Sequence, residues 1–168
     1  GRLSNVPLLV ECHLPLLPLE EILIRMRAGD IYTHSFCTAT DRTCLLDEQG
    51  SERPYVLEAQ KKGIRFDVGH GGAMFHFSIA IPALKQGLLP NSFGSDLHRF
   101  SMNSGMKNML DIMSKYLNMG MNIEDIIFRA TWNSANSIKR DDLGQLSEGA
   151  EADVAILRIR KGSFGFID

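Results

Sequence analysis

No stretch of this chain is apolar for long enough to cross a bilayer, and no basic-then-apolar leader opens it. The expectation is a protein without membrane attachment. Charge of one sign is missing too: 18 Lys and Arg stand against 20 Asp and Glu, a net of −2. That balance removes the electrostatic case for a nucleic-acid partner. Cysteine is scarce. Cys12, Cys37 and Cys44 form an odd, unpatterned set, which reads as reduced thiols in a cytoplasmic protein rather than a disulfide framework. There is no internal repeat and no low-complexity segment. The chain opens on Gly1, not Met, and reads as processed or truncated. What is present is 168 residues, 44% of them hydrophobic, enough for one globular core.

The apolar run from Val6 to Glu11 reads as a buried strand of a parallel sheet. Leu19, Ile22, Leu23 and Met26 then mark one face of a helix, with Gly29 placed to end it. A second strand runs from Asp30 toward His34. Residues 37–53 read as a loop, and Pro54 to Gly63 as a helix. A third strand, Ile64 to Val68, leads into Gly69-His70-Gly71-Gly72, and a helix follows from Phe77 to Lys85. The stretch Pro90 to Asp96 is the fourth strand.

Beyond it, Met106, Met109, Leu110, Met113 and Leu117 predict an amphipathic helix. Asn122 with Asp125 reads as a cap opening another, and Ser134 to Ile138 as a third. Val154, Ile156 and Ile159 predict a final strand. Strands alternating with helices imply a parallel sheet with helical crossovers.

His34, His70 and Asp96 each fall at the C-terminal end of a predicted strand, where parallel α/β folds gather their catalytic groups. Imidazole nitrogen and carboxylate oxygen suit zinc, and a zinc-bound water becomes acidic near neutral pH. An aspartate beside it can take up a proton and deliver it to a leaving amine. Taken singly, each residue has an ordinary alternative. A histidine after a strand is more often a hydrogen-bonded rim residue, and Asp96 can cap a turn. The glycine run at 69–72 can cradle an anion with backbone N–H groups, or be a tight turn from strand to helix. A flavodoxin-like binding domain fits the element order but leaves these strand-end residues unexplained.

The segments Gly29 to Phe36, Phe66 to Gly71 and Ser95-Asp96-Leu97-His98 together resemble the amidohydrolase superfamily, within it the dihydroorotase-like deacetylases. Met113 to Leu117 and Gly144 to Val154 fit the same group. The resemblance implies an α/β fold, the C-terminal half (strands five to eight) of a (β/α)₈ TIM-type barrel. Residues 1–143 would form the partial barrel, and 144–168 would start the return to a small β-sandwich.

It also implies a metal-dependent hydrolase of an amide, N-acyl or ester bond in a small molecule, with one or two divalent ions such as Zn2+. His34 would be a metal ligand. Asp96 would be both ligand and general base. His70, Asn103 and His98 would stand near substrate. Glu11, 23 residues before His34, occupies the place where the family has a metal-binding histidine. It can ligate in that histidine's stead, or His13 can fill the place, or the ligand is lost and the domain is a degenerate one kept for binding or assembly. The family's His-x-His pair and lysine of the earlier strands have no counterpart here. A complete barrel needs about 250 residues. The expected partner is therefore a missing N-terminal half-barrel or a second copy of the chain, and the chain alone is expected to be weak or inactive.

Overall fold

A computed structural model describes residues 3–11, 16–38, 44–104 and 106–167. Its centre is a parallel sheet of short strands laid side by side in chain order: β1 (Leu9–Val10), β2 (Ile31–Tyr32) and β3 (Arg65–Phe66). Leu9 pairs with Ile31, and Ile31 with Arg65. The predicted fourth strand is present as a parallel bridge, Asp67 to Ser92. Its ladder continues through Val68 N–H to Ser92 O, His70 N–H to Gly94 O and Gly71 N–H to Ser95 O. Parallel neighbours in sequence order need a helix-bearing crossover between each pair, and three such connections are filled by α1 (Leu19–Arg25), α2 (Pro54–Lys62) and α3 (Phe77–Lys85).

Local chemistry sets the boundaries. Gly63 takes a left-handed φ of 89° and closes α2. The α1 helix stops at Arg25, earlier than Gly29 would imply, because Met26 is already extended and Arg27 turns to meet Asp30. After the sheet come α4 (Met109–Asn118), α5 (Ile123–Ala130) and α6 (Trp132–Ser137). The Asn108 side chain accepts from the Leu110 and Asp111 amides, so α4 begins there and leaves Met106 outside it. Asn122 caps α5 by accepting from Asp125 N–H, as its spacing predicts.

The predicted final strand is absent: residues 151–161 carry no strand, and Val154, Ile156 and Ile159 are exposed. Among the described residues no strand pairs with this segment, and an unpaired strand has nothing to accept its backbone hydrogen bonds.

The core lies between the sheet and its helices. Tyr116 of α4 is its hub, with Phe93 at 4.7 Å, Phe75 at 5.9 Å and Phe36 at 6.1 Å between ring centroids. Phe36 and Phe75 come from the segments that follow β2 and β3, and Phe93 from the fourth strand itself, so the same packing that buries them fixes the strand-end loops.

Asp30 ties the start of β2 to the chain around it. Its carboxylate accepts from Leu8 N–H at 2.9 Å, Arg27 N–H at 2.8 Å and the Arg27 guanidinium at 2.8 Å. Burial pushes the Asp30 carboxyl up, but the Arg27 side chain and the two amides more than offset it and hold it at about 2, against 3.8 unperturbed. A depressed carboxyl stabilises the fold above its unfolded value, and that stability is lost as pH falls through about 2. Asp30→Asn is therefore expected to cost about 1–2 kcal/mol at neutral pH, allowing for solvent screening of the partly exposed Arg27. The difference from wild type should shrink toward zero near pH 2. Urea denaturation at the two pH values checks it, and a cost independent of pH would contradict the assignment.

Candidate active site

The three strand-end segments converge on one open cavity of about 540 Å³. Glu11, His34, Met74, Asp96, His98 and Phe100 line it. The sequence-predicted pair, His34 and Asp96, thus face a common space, with Glu11 beside them. Both of the pair are non-glycine residues in the left-handed region, at φ 60° and 47°. The backbone turns sharply at each strand end to present these side chains.

His34 is held by its Nδ1, which lies 2.6 Å from Gly69 O. A carbonyl oxygen only accepts, so Nδ1 carries a proton, and in the neutral ring Nε2 keeps its lone pair. That lone pair stands 3.5 Å from the Glu11 carboxylate. Two acceptors facing one another across such a gap need a proton or a cation between them. Two ligands of one tetrahedral zinc, each about 2.0–2.1 Å from it, stand roughly 3.3 Å apart. The spacing and donor chemistry of His34 and Glu11 therefore fit a shared divalent ion. Among the described residues no three His, Cys, Asp or Glu side chains are clustered tightly enough to form a metal site by themselves. Asp96 lines the same cavity.

The glycine loop explains how this arrangement is held. Gly69 has φ 47°, and a Cβ there would fall 2.1 Å from Thr33 Oγ1 and 2.8 Å from His34 Nδ1. Gly71 has φ 51°, and a Cβ there would fall 2.7 Å from Asp96 Oδ2. The loop lies directly against both functional groups, which only glycine permits. The alternative of an anion cradle finds no support at His70 and Gly71, whose amides are engaged by Gly94 and Ser95. The tight turn is the reading the backbone carries.

Beneath the loop, the buried Asp67 joins three strand ends. It accepts from Ser92 Oγ at 2.6 Å and Thr33 Oγ1 at 2.9 Å. Burial pushes its carboxyl up, against the pull of those hydroxyls and of the Gly69 and Gly94 amides.

The other predicted residues separate. His98 reaches the cavity, and its Nδ1–H donates to Asp96 O at 2.8 Å, leaving Nε2 available. His70, expected near substrate, is buried and does not line the cavity. Its ring stacks on Phe75 at 4.7 Å, and its Nε2 lies 2.8 Å from Lys115 Nζ. His13 and the Asn103 side chain lie outside the described residues. Sequence reasoning missed Asp67 and Lys115 as buried polar residues packed behind the glycine loop. Lys115 carries a usable signal: it falls three residues after Ile112, on the buried side of an amphipathic helix.

Comparison with known proteins agrees with this architecture. The profile of the amidohydrolase family matches residues 76–164. A deacetylase of Brucella anthropi is 36% identical over 93% of this chain and 38% of its own length. A deacetylase of Agrobacterium fabrum is 34% identical over the same shares. The crystal structure of an adenine deaminase superposes with a TM-score of 0.82 at 29% identity, covering 89% of this chain and 40% of that one. A dihydroorotase superposes at 0.72 with 34% identity, covering 86% of this chain and 38% of that one. The chain thus spans less than half the length of the curated relatives it matches.

Proposed function

Because the chain belongs to the amidohydrolase family, we propose that it supplies strands five to eight of a (β/α)₈ barrel that hydrolyses an amide, N-acyl or ester bond of a small molecule. The deacetylase relatives favour removal of an acyl group from nitrogen or oxygen. Residues 1–143 are the barrel part, and 144–168 lead back toward a second, sandwich domain. An N-terminal half-barrel or a second copy completes the site. Scarce, unpatterned cysteines favour a cytoplasmic location; among the described residues no helix is long and apolar enough to cross a membrane.

The observation that carries the reading is the His34 imidazole, pinned at Nδ1 and facing Glu11 with Nε2, on the cavity that Asp96 also lines. His34, Asp96 and Glu11 would hold a divalent ion such as zinc. When bound, that ion supplies Lewis acidity and lowers the pKa of water. The residues of the chain do the rest. Gly69 O keeps the His34 lone pair turned to the cavity. A carboxylate oxygen of Asp96 takes the proton of the attacking water and returns it to the leaving nitrogen or oxygen. His98 Nε2 is placed to contact the substrate from the same wall.

The test is hydrolysis of a panel of N-acetyl and O-acetyl small molecules, with and without added Zn2+. The 168-residue chain alone is expected to turn over weakly or not at all, and addition of a strand-one-to-four half is expected to restore turnover. A chelator should remove that activity, and zinc return it. Robust turnover by the isolated chain would refute the split-site reading. Glu11 in the place of a histidine favours one rival, a degenerate binding domain. In that case the completed protein holds no metal, which elemental analysis decides.

A further inference from the structure

Lys115 is fully enclosed on α4. A buried ammonium is costly unless its hydrogens are used, and a methionine or leucine would fill the same space. Its Nζ donates to His70 Nε2 at 2.8 Å and to the Ile167 carbonyl, and it lies over the Phe75 and Phe77 rings at 5.1 and 5.5 Å. An ammonium can only donate, so His70 Nε2 bears the lone pair and Nδ1 the proton. That proton goes to Gly71 O at 2.9 Å. His70 is thereby locked in one neutral tautomer. Burial, with the Lys115 charge behind it, also pushes its pKa down.

The locked ring sits inside the glycine loop. His70 N–H is bonded to Gly94 O and Gly71 N–H to Ser95 O, so the loop cannot slide along the fourth strand while these hold. One residue before His70, Gly69 O receives the His34 Nδ1–H. One residue after it, Gly71 lies under the Asp96 carboxylate. A continuous set of contacts thus runs from α4 to both groups of the cavity. We propose that Lys115 is a positioning residue: acting through His70 and the loop 69–72, it fixes the tautomer and direction of the His34 imidazole. This role rests on the hydrolase reading for its purpose, but not for its test.

The experiment compares wild type with Lys115→Met, on chain labelled with 15N-histidine. Two-bond proton–nitrogen spectra report each imidazole tautomer, and titration with Zn2+ against a chromophoric chelator reports affinity. In wild type, His34 and His70 are both expected as Nδ1–H tautomers. In Lys115→Met, His34 is expected to become a tautomer mixture, and zinc affinity to fall about 10- to 100-fold, as for loss of other outer partners of a ligand. A variant that keeps the His34 tautomer and the wild-type zinc affinity, whatever its melting temperature, would overturn the proposal. Should Lys115→Met fail to fold, the wild-type spectrum still decides: His70 found as the Nε2–H tautomer or as imidazolium is incompatible with an ammonium donor and overturns it. If the chain completed by its N-terminal half binds no zinc yet the His34 tautomer responds to Lys115→Met, the positioning role stands and the metal-hydrolase reading falls.

Discussion

Gly69→Ala is expected to destabilise the fold by roughly 2–4 kcal/mol and to abolish zinc binding at the His34 cavity. Two effects add. A side chain in the left-handed region costs about 1–2 kcal/mol by itself. The new methyl would also stand 2.1 Å from Thr33 Oγ1 and 2.8 Å from His34 Nδ1. Neither atom is the loose end of a flexible side chain. Thr33 donates to the buried Asp67, and His34 donates to the carbonyl of Gly69 itself. Relief therefore breaks the hydrogen bond that aims the imidazole, or the one that ties β2 to β3. Denaturant midpoints give the first effect and zinc titration the second. A Gly69→Ala chain with wild-type stability and zinc affinity would mean that the loop does not hold His34 as described.

Asp96→Asn is expected to lower kcat of the completed enzyme by about 10²- to 10⁴-fold with little change in stability. The substitution is chosen because Asn keeps the shape of the carboxylate over Gly71 and is among the few residues that accept a left-handed φ. At φ 47° an alanine would confuse strain with chemistry. What the amide cannot do is take a proton from water. Loss of kcat with the fold retained thus isolates proton transfer from packing. A kcat within a few-fold of wild type would remove Asp96 from the general-base role.

Much of the fold could be read from residue order. The strand–helix alternation, the caps at Gly63 and Asn122 and the three strand ends all follow from local pattern, and local pattern is what a sequence displays. Four features could not be read that way. The exposed segment at 151–161 has strand-like alternation, but a strand exists only with a partner, and pairing is not a local property. His70 shares the strand-end position of His34 and Asp96, yet it turns inward, because Phe75 and Lys115 offer it a stacked, hydrogen-bonded place in the core. Glu11 gave three readings in the sequence. Only the 3.5 Å approach to His34 Nε2 distinguishes a candidate donor from a bystander. The Gly69 and Gly71 positions were visible as glycines, but their closeness to Thr33, His34 and Asp96 is long-range geometry.

The left-handed turns at His34 and Asp96 set stability against chemistry at the same two residues. Each backbone would relax with glycine in place, and the shared cavity would then lose a group that gives it a use. A selection for thermal robustness alone would be drawn to these two sites early and would return hardier, inert proteins. A lineage released from hydrolysis would feel the same pull, so the residue found at either turn records what the fold is still asked to do.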